Sequence, residues 1–221
     1  MNLGYAGGTF PNNGEPMMQG GQSQQEAPKP MKPLLHPKRV TKIGNWNVRT
    51  LYESGNIAQA AREMAKREID IMGISETHWI GNGKLQLQEG EIIIYSGRED
   101  NIHRQGVGIL MSKSASRALI DWSPISERIV QAWFYSNHIK LTLVHVYVLI
   151  EDAEEQVKDD FYAKLQDVLS SCKAHDVLVV TGDMNAKVGD NNQSYECVMG
   201  KYGLGQRNNN GERFCEMRDL L

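Results

Sequence analysis

Three apolar runs in this sequence stop at side chains able to hold a cation or move a proton. Asn47 closes IGNWN, Glu76 follows IDIMGIS, and Asp183 with Asn185 comes where DVLVVTGD ends. Singly, each has an ordinary explanation: Asp and Asn after a strand commonly close a turn on their own backbone, and Glu76 can cap whatever follows Ser75. Jointly they place two carboxylates and two carboxamides at the same ends of strands, and such ends converge on one rim of a sheet. An oxygen-rich rim without cysteine suits a hard cation, Mg²⁺ with Mn²⁺ as a substitute. Beside a phosphate ester such a cation stabilises charge on the oxygens and helps to activate water, so phosphate ester hydrolysis is the chemistry expected.

Holding that rim together takes strands in a fixed order, and from Val40 onward the pattern alternates strands and helices. IGNWNV reads as a strand. Over residues 56–68, Ile57, Ala60, Ala61, Met64 and Ala65 recur at the spacing of a one-faced helix. IDIMGIS is a buried strand, and EIIIYSG, GVGILMS, SRALIDW and ERIVQAWFYS are short strands punctuated by Gly, Ser and Pro124. HIKLTLVHVYVLI is apolar on both faces, as a central strand covered on both sides would be. A second helix is expected after Asp152, with Glu155 as its capping-box partner and Val157, Phe161, Leu165, Val168, Leu169 and Cys172 as its buried stripe. DVLVVTGD is a further buried strand, and another helix is expected to begin near Gly211. Crossover helices around a meander of short strands predict an α/β sandwich of two sheets flanked by helices.

The 221 residues are 40% hydrophobic and 23% charged, which is room for one folded body. Residues 1–38 contrast with the rest, holding six of the seven prolines, six glycines and only 11 apolar side chains. Such a tail buries too little surface to offset its ordering entropy and is expected to be disordered, with the domain spanning 39–221. Lys29, Lys32, Lys38, Arg39 and Lys42 make its end basic, which is either solvated linker or a phosphate contact. With 24 Lys and Arg against 27 Asp and Glu, the net charge of −3 excludes a chain-wide electrostatic glove for nucleic acid. No apolar run reaches the roughly 20 residues of a membrane span, and MNLGYAGGTF lacks the make-up of a signal peptide. Cys172, Cys197 and Cys215 fit neither a zinc spacing nor a disulfide framework. An intracellular protein, nuclear or cytoplasmic and not membrane-bound, is expected. Its oligomeric state is not legible.

Four motifs in order carry a resemblance: WNVRTL at 46–51, SETHW at 75–79, VYV at 146–148 and TGDMNAKVG at 181–189. Together they resemble the endonuclease/exonuclease/phosphatase superfamily. Their spelling, with EDAEEQVKDDFYAKLQDVL and VMGKYGLGQRNNNGERF, is most similar to the endonuclease domains of non-LTR retrotransposons (LINEs) and their domesticated relatives. The resemblance implies the deoxyribonuclease-like four-layer sandwich, and a Mg²⁺-dependent endonuclease that cleaves phosphodiesters of DNA. It implies that Glu76 binds the metal and that Asn47 supports metal and phosphate. By the same likeness Asp183 orients or deprotonates the attacking water, Asn185 holds the phosphate, and Tyr147 donates to a phosphate oxygen. Arg49 is a candidate DNA-phosphate contact or a plain surface arginine. His78, two residues after Glu76, either lines the nucleic-acid groove or packs locally.

Two departures bear on activity. Family members follow that tyrosine with a small residue, Pro, then Asn or Thr, where Leu149 and Ile150 stand here. The Ser-Asp-His motif that closes the family's domain is absent. The expectation is therefore a domain incomplete at its C-terminal end and weakly active or inactive, since members of a catalytic unit act non-additively. Two other readings stay open: a phosphomonoesterase of the same superfamily, and a non-catalytic module that binds nucleic acid or a protein. GNGK at 81–84 is read as a turn rather than a P-loop, and the run holding Gly203 and Gly205 as a mobile loop. His145 is read as a satisfied core histidine, and Met64, Met72 and Met111 as core filling.

Overall fold

A computed structural model describes residues 30–36 and 38–217. Two mixed sheets face each other. The first holds β1 (Ile43–Asn47), β2 (Ile71–Ser75), β3 (Asn82–Gln86), β4 (Ile92–Ser96) and β5 (Val107–Met111), in the order β1-β2-β5-β4-β3. The second holds β6 (Leu119–Ser126), β7 (Ile129–Phe134), β8 (Leu141–Tyr147) and β9 (Val177–Asp183), in sequence order. Only β1–β2 and β8–β9 pair in parallel. Each parallel pair is joined through a helix, as a crossover requires: α1 (Ser54–Lys66) in the first sheet and α2 (Glu155–Ser170) in the second.

Alternation along the strands builds the layers. Ile71, Ile94, Ile109, Val130, Ala132, Phe134, Leu141 and Leu143 meet between the sheets. On the outer face of the first sheet, Met72, Ile74, Ile93 and Leu110 receive Ile57, Ala60, Ala61 and Met64 of α1. On the outer face of the second, Val144 and Val146 receive Phe161, Leu165, Val168 and Leu169 of α2. Helix, sheet, sheet, helix is the expected four-layer sandwich. A third helix, α3 (Asn209–Glu216), starts where the Asn208 side chain accepts from Gly211 N at 2.8 Å, two residues ahead of the expected start.

Several local expectations are corrected. Of the stretch expected to be disordered, residues 30–36 and 38 join the body; the remainder, residues 1–29 and 37, lies outside the described residues. Leu34 is buried in the inter-sheet core and its N–H donates to Tyr135 O at 2.8 Å, so a window dominated by Gly and Pro concealed an anchoring apolar residue. Part of the basic lead-in is neutralised: Arg39 pairs with Asp70 and Lys42 with Glu68. The GNGK turn is confined to Gly81 at φ +64°, and Asn82 already begins β3, an exposed edge strand without apolar alternation. Helix α2 begins at Glu155 with no side-chain cap, so the Asp152 capping box does not form. Its buried stripe keeps Phe161, Leu165, Val168 and Leu169, but Lys158 is covered and Val157 exposed. Ala65 of α1 is also exposed. Strand β9 is half-buried throughout because it is a sheet edge. The run with Gly203 and Gly205 folds back on Gly189, and Asp190 N donates to Gly205 O at 3.0 Å.

Candidate active site

The two parallel pairs end level with one another. Register sets Asn47 beside Ser75, the residue before Glu76, and Tyr147 beside Asp183. Asn45 Nδ2 donates to Gly182 O at 2.8 Å and so fastens β1 of one sheet to β9 of the other. Gly182 also lets β9 lie close to β8: at φ +156° a Cβ would stand 1.9 Å from Val146 O. Sequence and packing thus bring four strand ends from two sheets to one rim.

At the rim Asn47 is the bridge. Its Nδ2 donates to Glu76 Oε1 at 2.7 Å and to Asp183 Oδ2 at 2.9 Å, while its Oδ1 accepts from Arg49 N at 3.0 Å. The Tyr147 hydroxyl donates to the same Glu76 Oε1 at 2.9 Å. Burial, then the bond to Glu76, pushes the Tyr147 pKa up to about 12, so the phenol stays a donor at neutral pH. Glu76 Oε2 has no such donor; its neighbour is His78 Nε2 at 3.9 Å. Asn185 N donates to Asp183 Oδ1 at 3.2 Å, but the Asn185 side chain turns away and donates to Val148 O at 2.7 Å. Asn47, Glu76, Tyr147 and Asp183 therefore form one hydrogen-bonded cluster, with Asn185 joined through its backbone and His78 at its border. Arg49 reaches the cluster only through its backbone N–H, and its side chain lines a neighbouring cleft with that of His78.

Backbone strain concentrates here. Arg49, Glu76, His78 and Asn185 all adopt positive φ, between 45° and 62°. Non-glycine residues in that region cost on the order of 1–3 kcal/mol each and persist where the surroundings dictate them.

Two residues at the site escaped the sequence reading. Arg128 lies with its guanidinium 5.0 Å from the Tyr147 ring centre and donates to Tyr147 O at 3.1 Å. Desolvation lowers its pKa, yet an arginine remains charged, so it sets a fixed cation behind the tyrosine. The signal was the β7–β8 register, Ile129 opposite Val146, which sets Arg128 level with Tyr147. The second is Asn210, fully buried on α3. Its Nδ2 donates to Leu149 O at 2.8 Å and Asn185 O at 3.2 Å, and its Oδ1 has no partner. Of the two residues that depart from the resembled motif, Leu149 is buried and offers that carbonyl, while Ile150 is exposed.

His145 is not the satisfied core histidine expected. It is completely buried, its Nε2 lies 3.2 Å from Ser75 Oγ, and its Nδ1 has no partner. Gly73 makes room for the ring, since a Cβ there would stand 2.1 Å from Nδ1. Burial pushes its pKa down to about 4, so it is neutral at pH 7.

A hard cation prefers oxygen ligands, and Glu76 Oε2 is the carboxylate oxygen at the rim that could hold one. Among the described residues no group of three or more His, Cys, Asp and Glu is placed to hold a metal ion by itself.

The fold is shared with solved nucleases. An AP endonuclease from Archaeoglobus fulgidus superposes with a TM-score of 0.56 at 17% identity, covering 82% of this chain and 71% of that one. The fold is the deoxyribonuclease I-like sandwich of such endonucleases. The AP endonuclease LMAP from Leishmania major (TM-score 0.55, 15% identity, 86% and 71% covered) shares it. So does the endonuclease domain of TRAS1, a telomere-specific non-LTR retrotransposon (TM-score 0.53, 17% identity, 81% and 72% covered). In sequence the chain is similar to craniofacial development protein 2, at 36% identity over 174 residues in Bos taurus and 35% over 182 residues in Tragulus javanicus. Those stretches are 79% and 81% of this chain, and the chain spans 28% and 31% of the two relatives. No family model matches. Among the described residues no helix is long and apolar enough to cross a membrane.

Proposed function

We propose that the rim is a Mg²⁺-dependent phosphodiester-cleaving centre acting on DNA, of the retrotransposon endonuclease type and of low rate. The observation that carries this reading is the Asn47 amide holding Glu76 and Asp183 together while Tyr147 donates to Glu76. Mg²⁺, or Mn²⁺ in its place, would be held by Glu76 and would supply charge neutralisation at the phosphate. Asp183, which accepts from two N–H donors, is positioned to hold an attacking water in line and accept its proton. The Tyr147 hydroxyl, protonated at neutral pH, can turn from Glu76 to a phosphate oxygen, and Arg128 behind it stabilises added negative charge.

A low rate follows from the side chains themselves. Asn185 spends a donor on Val148 O rather than offering it to the rim, and Ile150 has no polar atom for a phosphate. The same two features favour a second reading, a binding module without catalysis. One experiment separates the readings. The purified chain is incubated with supercoiled plasmid and, separately, with inositol phosphates, in Mg²⁺, Mn²⁺ or EDTA. Slow nicking of plasmid in either metal, none in EDTA and no phosphate release is the expected result. Phosphate release would move the centre to phosphomonoesters. Salt-sensitive DNA binding without nicking would establish the binding module.

A further inference from the structure

Beside the rim lies a cleft of about 710 Å³ that the cluster above does not use. Arg49, Thr50, Tyr52, Glu53, His78 and His103 line it. The lining adjoins the site along the chain: Arg49 is two residues beyond Asn47 and His78 two beyond Glu76. Two residues of backbone span at most about 7 Å, so the cleft begins within one nucleotide of the carboxylates.

Tyr52 is 63% exposed, unusual for an aromatic side chain on a loop that is firmly tied down. The loop is held by Leu51, which is 2% exposed: its N–H donates to Thr77 O at 3.0 Å, and Trp79 Nε1 donates to Leu51 O at 2.9 Å. Tyr52 N also donates to Thr50 Oγ1 at 3.1 Å. The His103 ring meets Tyr52 edge to face, with centroids 4.7 Å apart and planes at 80°. His103 Nδ1 lies 2.9 Å from His78 O. A carbonyl only accepts, so Nδ1 carries a proton and the ring is fixed in orientation. The aromatic pair is thus held from behind on both sides, its open surface facing solvent next to a phosphodiester-cleaving centre. Arg49 has no ion pair among the described residues. The combination of a pre-ordered aromatic face and an unpaired cation is what a base and its phosphate require.

We propose that Tyr52, buttressed by His103, is a stacking platform for one unpaired base next to the phosphodiester at the rim, with Arg49 on the adjoining phosphate. The substrate class is thereby narrowed to nucleic acid with a single-stranded or extruded nucleotide at the cleavage point. The inference rests on the phosphodiester reading of the rim.

The test is fluorescence anisotropy of the full chain in EDTA, with a labelled single-stranded oligonucleotide and with a blunt duplex of the same sequence. Wild type is expected to favour the single strand. Tyr52→Ala is expected to weaken that binding by roughly 5- to 150-fold, the range for loss of one stacked base, and Tyr52→Phe to retain it. Arg49→Ala is expected to weaken binding to both DNAs alike and to lower the salt slope by about 1. His103→Ala serves as a second probe of the platform, and circular dichroism verifies that each variant is folded. A folded Tyr52→Ala chain that binds single strands as wild type does would overturn the platform while leaving the rim chemistry intact. Wild-type binding without preference for the unpaired strand, or no binding, would overturn it as well, and plasmid nicking then decides the rim chemistry separately.

Discussion

At the rim, Asn47, Glu76, Tyr147 and Asp183 satisfy one another with hydrogen bonds of 2.7–2.9 Å, whereas one layer deeper between the same two sheets His145 has a single partner at 3.2 Å. The rim is open to water, with 23% of the Glu76 side chain exposed, and its carboxylates are held by neutral donors. His145 has no access to water and gives up its charge instead. The polar groups at the rim are supported from both sheets; those in the layer below are tolerated because Gly73 leaves a space. The difference teaches that the same two sheets hold a hydrogen-bonded carboxylate cluster where water reaches it and a neutral imidazole where it does not.

Breaking the rim gives the largest effect. Glu76→Gln removes the open carboxylate oxygen and is expected to lower Mg²⁺-dependent nicking by roughly 100- to 1,000-fold, the scale of metal stabilisation of transition-state charge, with little change in the melting temperature. Nicking by Glu76→Gln at the wild-type rate would place the metal elsewhere.

Acid attacks the deeper layer. The His145 pKa is near 4 in the folded chain, against an ordinary 6.5. Because the folded value is the lower one, its contribution is complete above pH 6.5 and is lost as pH falls toward 4. The loss amounts to about 3 kcal/mol. Urea unfolding between pH 7 and pH 4 measures it, and His145→Asn should remove that part of the acid dependence; an unchanged profile would contradict the burial argument. Filling the space is the next step down: Gly73→Ala is expected to cost about 1–3 kcal/mol by overpacking against the imidazole, and less when combined with His145→Ala. The smallest effect sharpens the link between the sheets. Asn45→Ala removes the bond to Gly182 O and should cost about 0.5–1.5 kcal/mol in thermal unfolding.

How much of this was legible follows from where each signal resides. The strand ends at Asn47, Glu76 and Asp183 were visible because apolar runs stop there, and the motif resemblance assigned them roles and supplied Tyr147. The rim's connectivity was not, because hydrogen bonds between two sheets leave no spacing in one sequence. Arg128 was missed because its place beside Tyr147 arises from hairpin register, and Asn210 because its neighbours are 25 and 61 residues distant. Strand β3 escaped because an exposed edge needs no apolar alternation, and Leu34 because its flanking prolines dominate the local composition. The cleft at Tyr52 was only half visible: Arg49 and His78 were singled out, but Tyr52 and His103 meet through loops 51 residues apart.

The most direct test of the central claim is nicking of supercoiled plasmid by the purified chain in Mg²⁺, in parallel with Asp183→Ala. The account predicts slow nicking by wild type, absent in EDTA and reduced about 100- to 10,000-fold in the variant, the range for a positioned base. Equal nicking by Asp183→Ala, or none by a folded wild-type chain that still binds DNA, would contradict it.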